Sequence, residues 1–299
     1  MPISNPSAQS KFSAENFSSS FPLFLPGGRL TTVQADPLGD SANATQLFYV
    51  PFAHSFVPIW NDSLNVWQNA TIPSAGIALA SFPLPNSSAD IVAFGGAGLD
   101  VAIMAQGWAG DSGRLFPINF NGLRCIDYGA GGSPRYRTYL GSIRITGSGS
   151  ASRIQDTTQF RHVWNAHNQA AKPVQVVESA NSWLTNTIVY RNLNNNSNNR
   201  LELFSGLTGL SINISGRFSA YTTSGQGAYF AITNNNIFDT SNQVALIQSA
   251  AGETSVDTQL LTRSALGLNT VRALELTDGS SNVTFFGYGR NGLRGFWLC

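Results

Sequence analysis

Residues whose side chains could do chemistry are few in this sequence. Its three histidines are His54, His162 and His167. None of them lies in a His-Glu-x-x-His motif or in another spacing typical of paired metal ligands. His162 and His167 do not share a helical face, so a common metal ion is not expected. We interpret the histidines as structural, and we predict neither a metal site nor a cofactor.

The other signals of catalysis are weak as well. Ser148 lies in a Gly/Ser-rich stretch and not in the strand–turn–helix setting of a nucleophilic serine. Four carboxylates could in principle supply the acid–base pair of a glycoside hydrolase, namely Asp100, Asp111, Asp127 and Asp156. Because the chain has no long repeat of β-helix rungs, we predict that it is not an enzyme.

Glycine, tryptophan and cysteine residues favour structural interpretations. The loop Gly95-Gly96-Ala97-Gly98 is followed by no long helix and no Gly-Lys-Ser/Thr, so it is read as a turn. The tryptophans could stack on sugars of a receptor, but packing is the simpler role for them; they include Trp60, Trp67, Trp108, Trp183 and Trp297. The two cysteines, Cys125 and Cys299, give no metal spacing, and whether they pair is left open.

The sparse charge of the chain is its most informative property. Only 11% of the 299 residues are Asp, Glu, Lys or Arg, against about 25% in an ordinary soluble domain. The formal net charge of +1 gives no basic face for nucleic acid. No apolar run approaches the roughly 20 residues of a membrane span, so membrane insertion is not expected. We predict that the chain buries much of its surface against copies of itself or other subunits.

Short apolar runs separated by turn residues indicate an all-β protein. The runs are rich in β-branched and aromatic residues, as at Arg200–Phe204, and Thr187–Tyr190 is predicted as a strand on the same grounds. Gly141 is expected to allow a bulge within the long strand that begins near Arg135. The fold class predicted is two antiparallel sandwich-like or barrel-like lobes, an extended N-terminal arm and at most one short helix.

Four regions are predicted along the chain. Residues 1–28 form the arm, 29–147 the first β lobe, 148–172 a linker with a short helical segment, and 173–299 the second β lobe. The helix is suggested by Phe160, Val163, Trp164 and His167, which recur at three- and four-residue steps. Exposed aromatics are unfavourable; the residues predicted at an interface are therefore Phe12, Phe17, Phe21, Phe24, Phe296 and Trp297.

Several short motifs occur in an order that carries a resemblance. They are Gly27-Gly28-Arg29-Leu30-Thr31, Leu47–Phe52, Arg137–Arg144 and Phe160–Asn165. This order resembles the tail-fibre and minor structural proteins of tailed bacteriophages, over about residues 27–205. His167-Asn168 stands where that group usually has Tyr-Asn. The first 26 residues and those after 205 carry no such resemblance.

The resemblance implies a non-enzymatic, oligomeric part of the virion. The function expected is that of a tail fibre or tail-associated host-attachment protein, acting as a homotrimer with other virion proteins and a host-surface glycan or receptor as partners. A capsid decoration (cement) protein is the alternative, and a polysaccharide-cleaving tailspike is a third reading. The sequence leaves open the position on the particle, the host and receptor, and which terminus anchors.

Overall fold

The computed structural model describes a protein built of short and medium strands. The described residues are 18–19, 24–79, 86–95, 101–108, 114–129, 135–147, 152–223, 225–235, 244–248, 252–287, 289 and 291–299. In these ranges there is no α-helix, and Leu193–Asn195 forms a 3-10 turn. The predicted all-β fold class is confirmed. Strand pairs are antiparallel except for one parallel contact between Phe160–Arg161 and Arg200–Ser205.

Three sheets are formed mainly by the first half of the chain. One has the order β1 (Ser18–Ser19), β6 (Val66–Thr71), β5 (Phe56–Asn61), and another has β2 (Gly28–Thr31), β4 (Phe48–Pro51), β7 (Ile77–Ala78). The third has the order β10 (Ile118–Phe120), β11 (Leu123–Asp127), β12 (Tyr136–Arg144), β8 (Ser88–Gly95), β9 (Val101–Gly107), with β15 (Val163–Asn165) also paired to β12.

The two largest sheets of the second half face each other. The eight-stranded sheet has the order β22 (Val244–Gln248), β21 (Gly227–Asn234), β24 (Gly267–Thr277), β19 (Arg200–Ser205), β14 (Phe160–Arg161), β13 (Ile154–Asp156), β3 (Ser41–Ala44), with β18 (Arg191–Asn192) paired to β24. The six-stranded sheet has the order β16 (Ala171–Val177), β26 (Gly292–Leu298), β20 (Ser211–Thr222), β25 (Val283–Phe286), β17 (Ser182–Thr185), with β23 (Gly252–Arg263) paired to β20.

Aromatic side chains hold these two sheets together as a sandwich. Phe218 of β20 stacks on Phe230 of β21, with ring centroids 4.6 Å apart. Phe230 in turn meets the edge of Phe285 of β25 at 5.3 Å. All three side chains are fully buried. Since each such ring removes 150 to 250 Å² of surface from water, about as much as any side chain can, this layer is a principal source of the sandwich's stability.

A second core lies among the sheets of the first half. It contains side chains such as Leu30, Val57, Ile91 and Ile143, all almost completely buried. In β12 the register against β8 shifts between Tyr139 and Gly141, which is the bulge predicted at Gly141. The bulge brings Gly141 against Trp164, whose carbonyl oxygen would lie 2.1 Å from an added Cβ.

The segment predicted as a linker instead joins the two halves of the molecule. β13 pairs with β3 of the first half, β14 runs parallel to β19 of the second, and β15 pairs with β12. The eight-stranded sheet therefore contains strands from both predicted lobes. We refer to β13, β14 and β15 as the seam. Residues 148–151, where the predicted linker begins, lie outside the described ranges.

Two local predictions are wrong. No helix forms around Phe160–Asn165, because residues 161 to 165 are all buried between neighbouring strands, whereas an amphipathic helix would leave one side in water. Thr187–Tyr190 is a loop and not a strand. The Thr187 hydroxyl donates to the Val189 carbonyl at 3.0 Å, a local bond that competes with pairing to another strand.

A buried ion pair links the sheets of the first half of the chain to the sandwich of the second half. Arg114 donates to both carboxylate oxygens of Asp90 on β8, at 2.7 and 2.8 Å, and to the Gly206 carbonyl at 2.6 Å. The Tyr139 and Ser142 hydroxyls complete the set, and the Arg114 guanidinium lies 4.7 Å from the Trp108 ring centroid. Burial raises the pKa of Asp90, against the opposing effect of Arg114.

We expect Arg114→Met to destabilise the protein by about 3 to 5 kcal/mol, because it leaves the Asp90 carboxylate buried without its cation. Adding Asp90→Asn to that variant should restore part of the loss, since no charge is then stranded. The measurement is urea unfolding followed by tryptophan fluorescence. Arg137→Met is the control, because its contact with Asp62 is a partly exposed 3.2 Å bridge worth under about 1 kcal/mol. Equal losses for the two single variants would contradict this account.

Candidate interaction surface

Two of the sequence motifs meet at one junction in the structure. Asn165 of β15 accepts a hydrogen bond from the Leu30 amide at 2.7 Å and donates to the Leu30 carbonyl at 3.3 Å. Asn168, which has a positive φ of 53°, donates to the carbonyls of Pro26 and Gly28 at 2.7 and 3.0 Å. The two amide side chains thus make four hydrogen bonds to the main chain between Pro26 and Leu30, and they tie the start of β2 to the seam and to the residues that follow it.

Gly28 is required at this junction by close approach. Its amide donates to the Tyr49 hydroxyl at 3.1 Å, and an added Cβ would lie 2.5 Å from the Tyr49 ring. Tyr49 is almost fully buried, and burial raises the pKa of its phenol. The glycine pair of the first motif is therefore explained by packing, and no ligand is needed to account for it.

Arg29 extends the junction to the far end of the chain. Its guanidinium donates to the main-chain oxygens of Pro37 at 3.0 Å, of Asn168 at 2.7 Å and of Cys299 at 2.7 Å. The side chain is nearly fully buried. Because a buried guanidinium is tolerated only when its donors are satisfied, these three carbonyls are what permits Arg29 to sit there.

Four charged groups form a compact network beside the junction. Lys172 bridges Asp156 at 2.7 Å and Asp40 at 3.1 Å. Arg161 bonds Asp40 at 2.6 Å and Asp156 at 3.4 Å. Burial acts to raise the pKa of Asp40, but the hydrogen bonds from Arg161 and Lys172 outweigh it and lower that pKa. Two cations thus balance two carboxylates, and the arrangement holds β13, β14 and β16 together without presenting a free acid or base.

The carboxylates considered for glycoside hydrolysis do not form a described pair. Asp156 is committed to the network above. Asp127 is exposed and accepts the main-chain amides of Gly129 and Arg135 at 2.8 and 3.0 Å. Asp100 and Asp111 lie outside the described residues, as do Ser148 and most of the loop Gly95–Gly98.

The histidines make separate contacts. His162 bonds Glu202 at 3.0 Å. Burial acts to raise the pKa of Glu202, but hydrogen bonds from His162 and Arg200 lower it to about 2. His54 lies beside Phe24 and Phe56. Burial, together with the nearby charge of Arg124, lowers the pKa of His167 to about 4.

Both cysteines are free and buried, in different side-chain clusters. Burial raises the pKa of Cys125 to about 12 and that of Cys299 to about 11. Since the thiolate is the reactive form, neither is placed as a nucleophile.

Most of the tryptophans pack inside the protein. Trp60 meets Trp67 edge-on at 5.3 Å, and Phe120 and Tyr136 complete this aromatic cluster. Trp108 and Trp297 are buried in the larger core. Trp183, which is partly exposed, donates its indole N–H to Glu275 at 2.8 Å. These contacts support packing over sugar stacking for the tryptophans.

The predicted arm reaches the described residues at its base. Phe12, Phe17 and Phe21 lie outside the described ranges, so their predicted interface role stays a prediction. Ser18 and Ser19 pair with Gln68 and Trp67 of β6, which lays this part of the arm on the chain's own sheet.

An exposed apolar patch surrounds Phe24. The side chains of Phe24, Leu25 and Phe52 are 45%, 59% and 42% exposed, and we call these three residues the root patch. Phe24 stacks on Phe56 at 6.0 Å. The Phe52 amide donates to the Gly27 carbonyl at 3.1 Å, which ties Phe52 to the segment that follows Phe24 and Leu25.

The two interface residues predicted near position 296 behave in opposite ways. Phe296 is 66% exposed, as a contact residue would be, whereas Trp297 is fully buried in its own chain. The interface prediction for Trp297 is therefore wrong. Successive residues of β26 alternate between the two faces of the six-stranded sheet, so neighbouring aromatics cannot both face solvent.

A groove of about 480 Å³ opens beside Phe296 on the outer face of that sheet. Strand register places its side chains in two adjacent rows. One row is Pro173, Phe296 and Asn213, continued outside the groove by Leu261; the other is Gln175, Arg294, Ser215 and Gln259. Thr158, which lies between β13 and β14, completes the lining together with Val174 and Gly295. We call this feature the sheet-face groove. Sequence reasoning missed its polar row, although the alternation of Gln175, Arg294 and Phe296 with buried neighbours was a usable signal.

The described ranges contain no group of three or more His, Cys, Asp or Glu side chains able to hold a metal ion. Within the same ranges, no helix has the length and apolar character needed to cross a membrane. No protein-family model matches the chain, and a search of curated proteins gave no match either. The interaction surfaces must therefore be judged on their own geometry.

We expect Asn165→Ala to lower the free energy of unfolding by about 2 to 4 kcal/mol, because the Leu30 amide and carbonyl lose their buried partner. Chemical denaturation measures the loss. Asn198→Ala is the control, since that side chain is exposed and should cost under about 0.5 kcal/mol. A loss no larger than that of the control would mean that the junction does not depend on Asn165.

His167 should make stability fall on acidification. Its pKa is about 4 in the folded chain and about 6.5 in the unfolded one, so the unfolded chain binds the proton more readily. Stability from this group is intact above about pH 6.5 and falls by about 3 kcal/mol as the pH drops towards 4.

Urea unfolding between about pH 7 and 5 tests this. Protonation of Glu202, whose pKa is also lowered in the folded chain, reduces stability only below about pH 4.5 and so does not interfere in this window. His167→Gln should flatten the slope in that window. An unchanged slope in this variant would assign the pH dependence to another group.

Proposed function

We propose that this chain is a structural protein of a tailed-bacteriophage particle, a homo-oligomeric tail fibre or tail-associated host-attachment protein. The root patch is the observation that carries the proposal. Three large apolar side chains stand in water at the base of a segment that contains Phe12, Phe17 and Phe21. Exposed apolar clusters of this kind mark contacts with other subunits.

The distribution of charge supports the same proposal. Several of the few charged residues are buried, among them Arg29, Asp90, Arg114 and Lys172. The exposed positions combine a few charged side chains, such as Asp127 and Arg294, with many Asn, Ser, Thr and Gln residues. Exposed apolar side chains lie among them, such as Leu184, Ile188 and Leu261. A surface with little repulsive charge suits a protein that is packed among copies of itself.

Residues of the motifs that carry the sequence resemblance contact one another at or beside the junction. Gly28, Arg29 and Leu30 come from the first motif, Tyr139 and Gly141 from the third, and Asn165 from the last. Asn165 binds Leu30, and Gly141 packs against Trp164 next to it in the last motif. Motifs that build this junction form a scaffold, which is compatible with a structural protein and requires no catalytic centre.

The proposal predicts an oligomer whose mass is three times that of the 32.0 kDa chain. Light scattering on a sizing column measures it. Phe24→Asp combined with Phe52→Asp should shift the protein to monomer, because charges then occupy the root patch. Leu64→Asp, at another exposed leucine, is the control and should leave the mass unchanged. A wild-type monomer at every concentration would overturn the oligomeric part of the proposal.

Antibody labelling of particles tests the location. Label at the tail supports the attachment protein. Label spread over the capsid, with shells that burst more readily when the protein is missing, would contradict the attachment role and support the decoration-protein alternative. Particles that carry no label would overturn the virion assignment itself.

A further inference from the structure

The sheet-face groove carries a single charge. Arg294 is the one ionisable side chain among the residues that line it. Within the described part of the chain, Arg294 has no carboxylate partner; its bond is a long one of 3.4 Å to the Gly289 carbonyl. Two other exposed arginines lie on the same face outside the groove. Arg263, at the far end of β23, donates to the Gly209 carbonyl, and Arg217 lies opposite Asp257 in the strand register. A ligand that fits the groove should therefore bring one negative group to Arg294.

Neutral hydrogen-bonding groups surround that cation. Gln259 donates to Asn213 at 2.5 Å, which fixes both amides and leaves the Asn213 NH₂ group directed away from that bond. In the described residues, the side chains of Gln175 and Ser215 have no hydrogen-bond partner. Amides and hydroxyls that both donate and accept are suited to the many hydroxyl groups of a sugar.

Phe296 supplies the apolar element. Its ring stands exposed beside Pro173 and Asn213, one row away from Arg294. An aromatic face next to a polar row matches the two-sided character of a pyranose ring, which has an apolar C–H face and a polar rim. Four strands about 4.8 Å apart make the face about 14 Å wide, enough for more than one sugar unit.

We propose that the sheet-face groove binds an acidic oligosaccharide. A pyranose ring lies on Phe296, its carboxylate accepts two hydrogen bonds from Arg294, and its hydroxyls bond Gln175, Asn213 and Gln259. The inference rests on the proposed attachment role for its biological setting. It names the chemistry of the partner: a carboxylated glycan of a host surface.

A second copy of the chain fits this groove less well. The side chains of Gln175 and Ser215 would then be buried at the centre of the contact, where a polar group without a hydrogen-bond partner is unfavourable. The lining provides no acidic residue with which a symmetric copy could pair Arg294. Charge and polarity together favour the glycan.

Purified full-length protein is titrated with a short oligogalacturonate, with binding followed by calorimetry and by saturation-transfer NMR. The same oligomer with its carboxylates methyl-esterified is the matched ligand control. We expect the acid form to bind and the ester to bind at least about tenfold more weakly, since the charge-assisted bonds to Arg294 are lost.

Two variants test the assignment of residues. Arg294→Gln should weaken binding of the acid form about tenfold or more and remove the preference over the ester; Phe296→Ala should weaken both forms about tenfold. Arg217→Gln, an exposed arginine on the same face outside the groove, is the control. Both groove residues are exposed, so folding should be unaffected, and an unfolding curve checks this.

Binding that survives both groove variants, or no binding to either oligomer, would overturn the inference. So would a Phe296→Ala variant that changes the oligomeric mass and leaves glycan binding intact, because a second copy would then be the occupant. These outcomes are separate from particle labelling: a labelled tail with no glycan binding would leave the attachment role standing and remove its proposed ligand.

Discussion

The structure depends on hydrogen bonds that satisfy main-chain groups buried where strands from distant parts of the chain meet. Leu30 is the clearest case, because its amide and its carbonyl both bond the one side chain of Asn165. A buried amide without a partner costs about 1 to 3 kcal/mol, so the entry to β2 can be placed against the seam only with such a side chain present. Asn168 and Arg29 satisfy the neighbouring carbonyls in the same way. The abundance of asparagine therefore has a structural use at this junction as well as in turns.

The need to satisfy buried main-chain groups also accounts for the position of several charged side chains. Asp90 with Arg114, and Asp156 with Lys172, are placed inside the molecule, where each cation also bonds main-chain carbonyls. Ion pairs at such positions contribute little net stability compared with apolar residues of the same size, but removing one partner is costly because it leaves the other charge buried. Charged side chains that are buried in this way cannot contribute to electrostatic repulsion between the surfaces of neighbouring molecules. A low-charge exterior and a well-specified interior thus follow from one distribution of residues.

Strands could be predicted where apolar residues alternate or cluster, as at Arg200–Ser205 and Tyr136–Arg144, and the bulge at Gly141 followed from glycine's lack of a side chain. The seam could not be predicted in this way. The three- and four-residue spacing of Phe160, Val163 and Trp164 indicated a helix, but it arises because this segment is buried between strands. A one-dimensional pattern cannot distinguish such a segment from a helix. β23 was missed because its Ser, Thr and Gln content resembles a loop, although its residues alternate in exposure.

The residues predicted at an interface likewise differ in how well the sequence alone could place them. Phe24 and Phe296 are exposed, whereas the neighbouring Trp297 points inward because of the period of the strand. Composition indicated that contacts with other molecules matter, but which side chains face outward was set by pairing between strands far apart in sequence. In the aromatic cluster, Trp60 and Trp67 face each other across the neighbouring strands β5 and β6, whereas Phe120 and Tyr136 come from strands distant in sequence.

Arg29 and Cys299 are separated by 270 positions and yet share a hydrogen bond. Closing so long a loop is slow, and chains rich in non-local pairings fold over milliseconds to seconds. During synthesis one of the three main-chain partners of the Arg29 guanidinium is missing until β26 has emerged and paired with β16. Until that moment the entry to β2 is only partly secured. The fold is thus completed by a late-emerging strand. In a nascent chain that stops before β26, the segment that enters β2 would lack one of its hydrogen-bond partners.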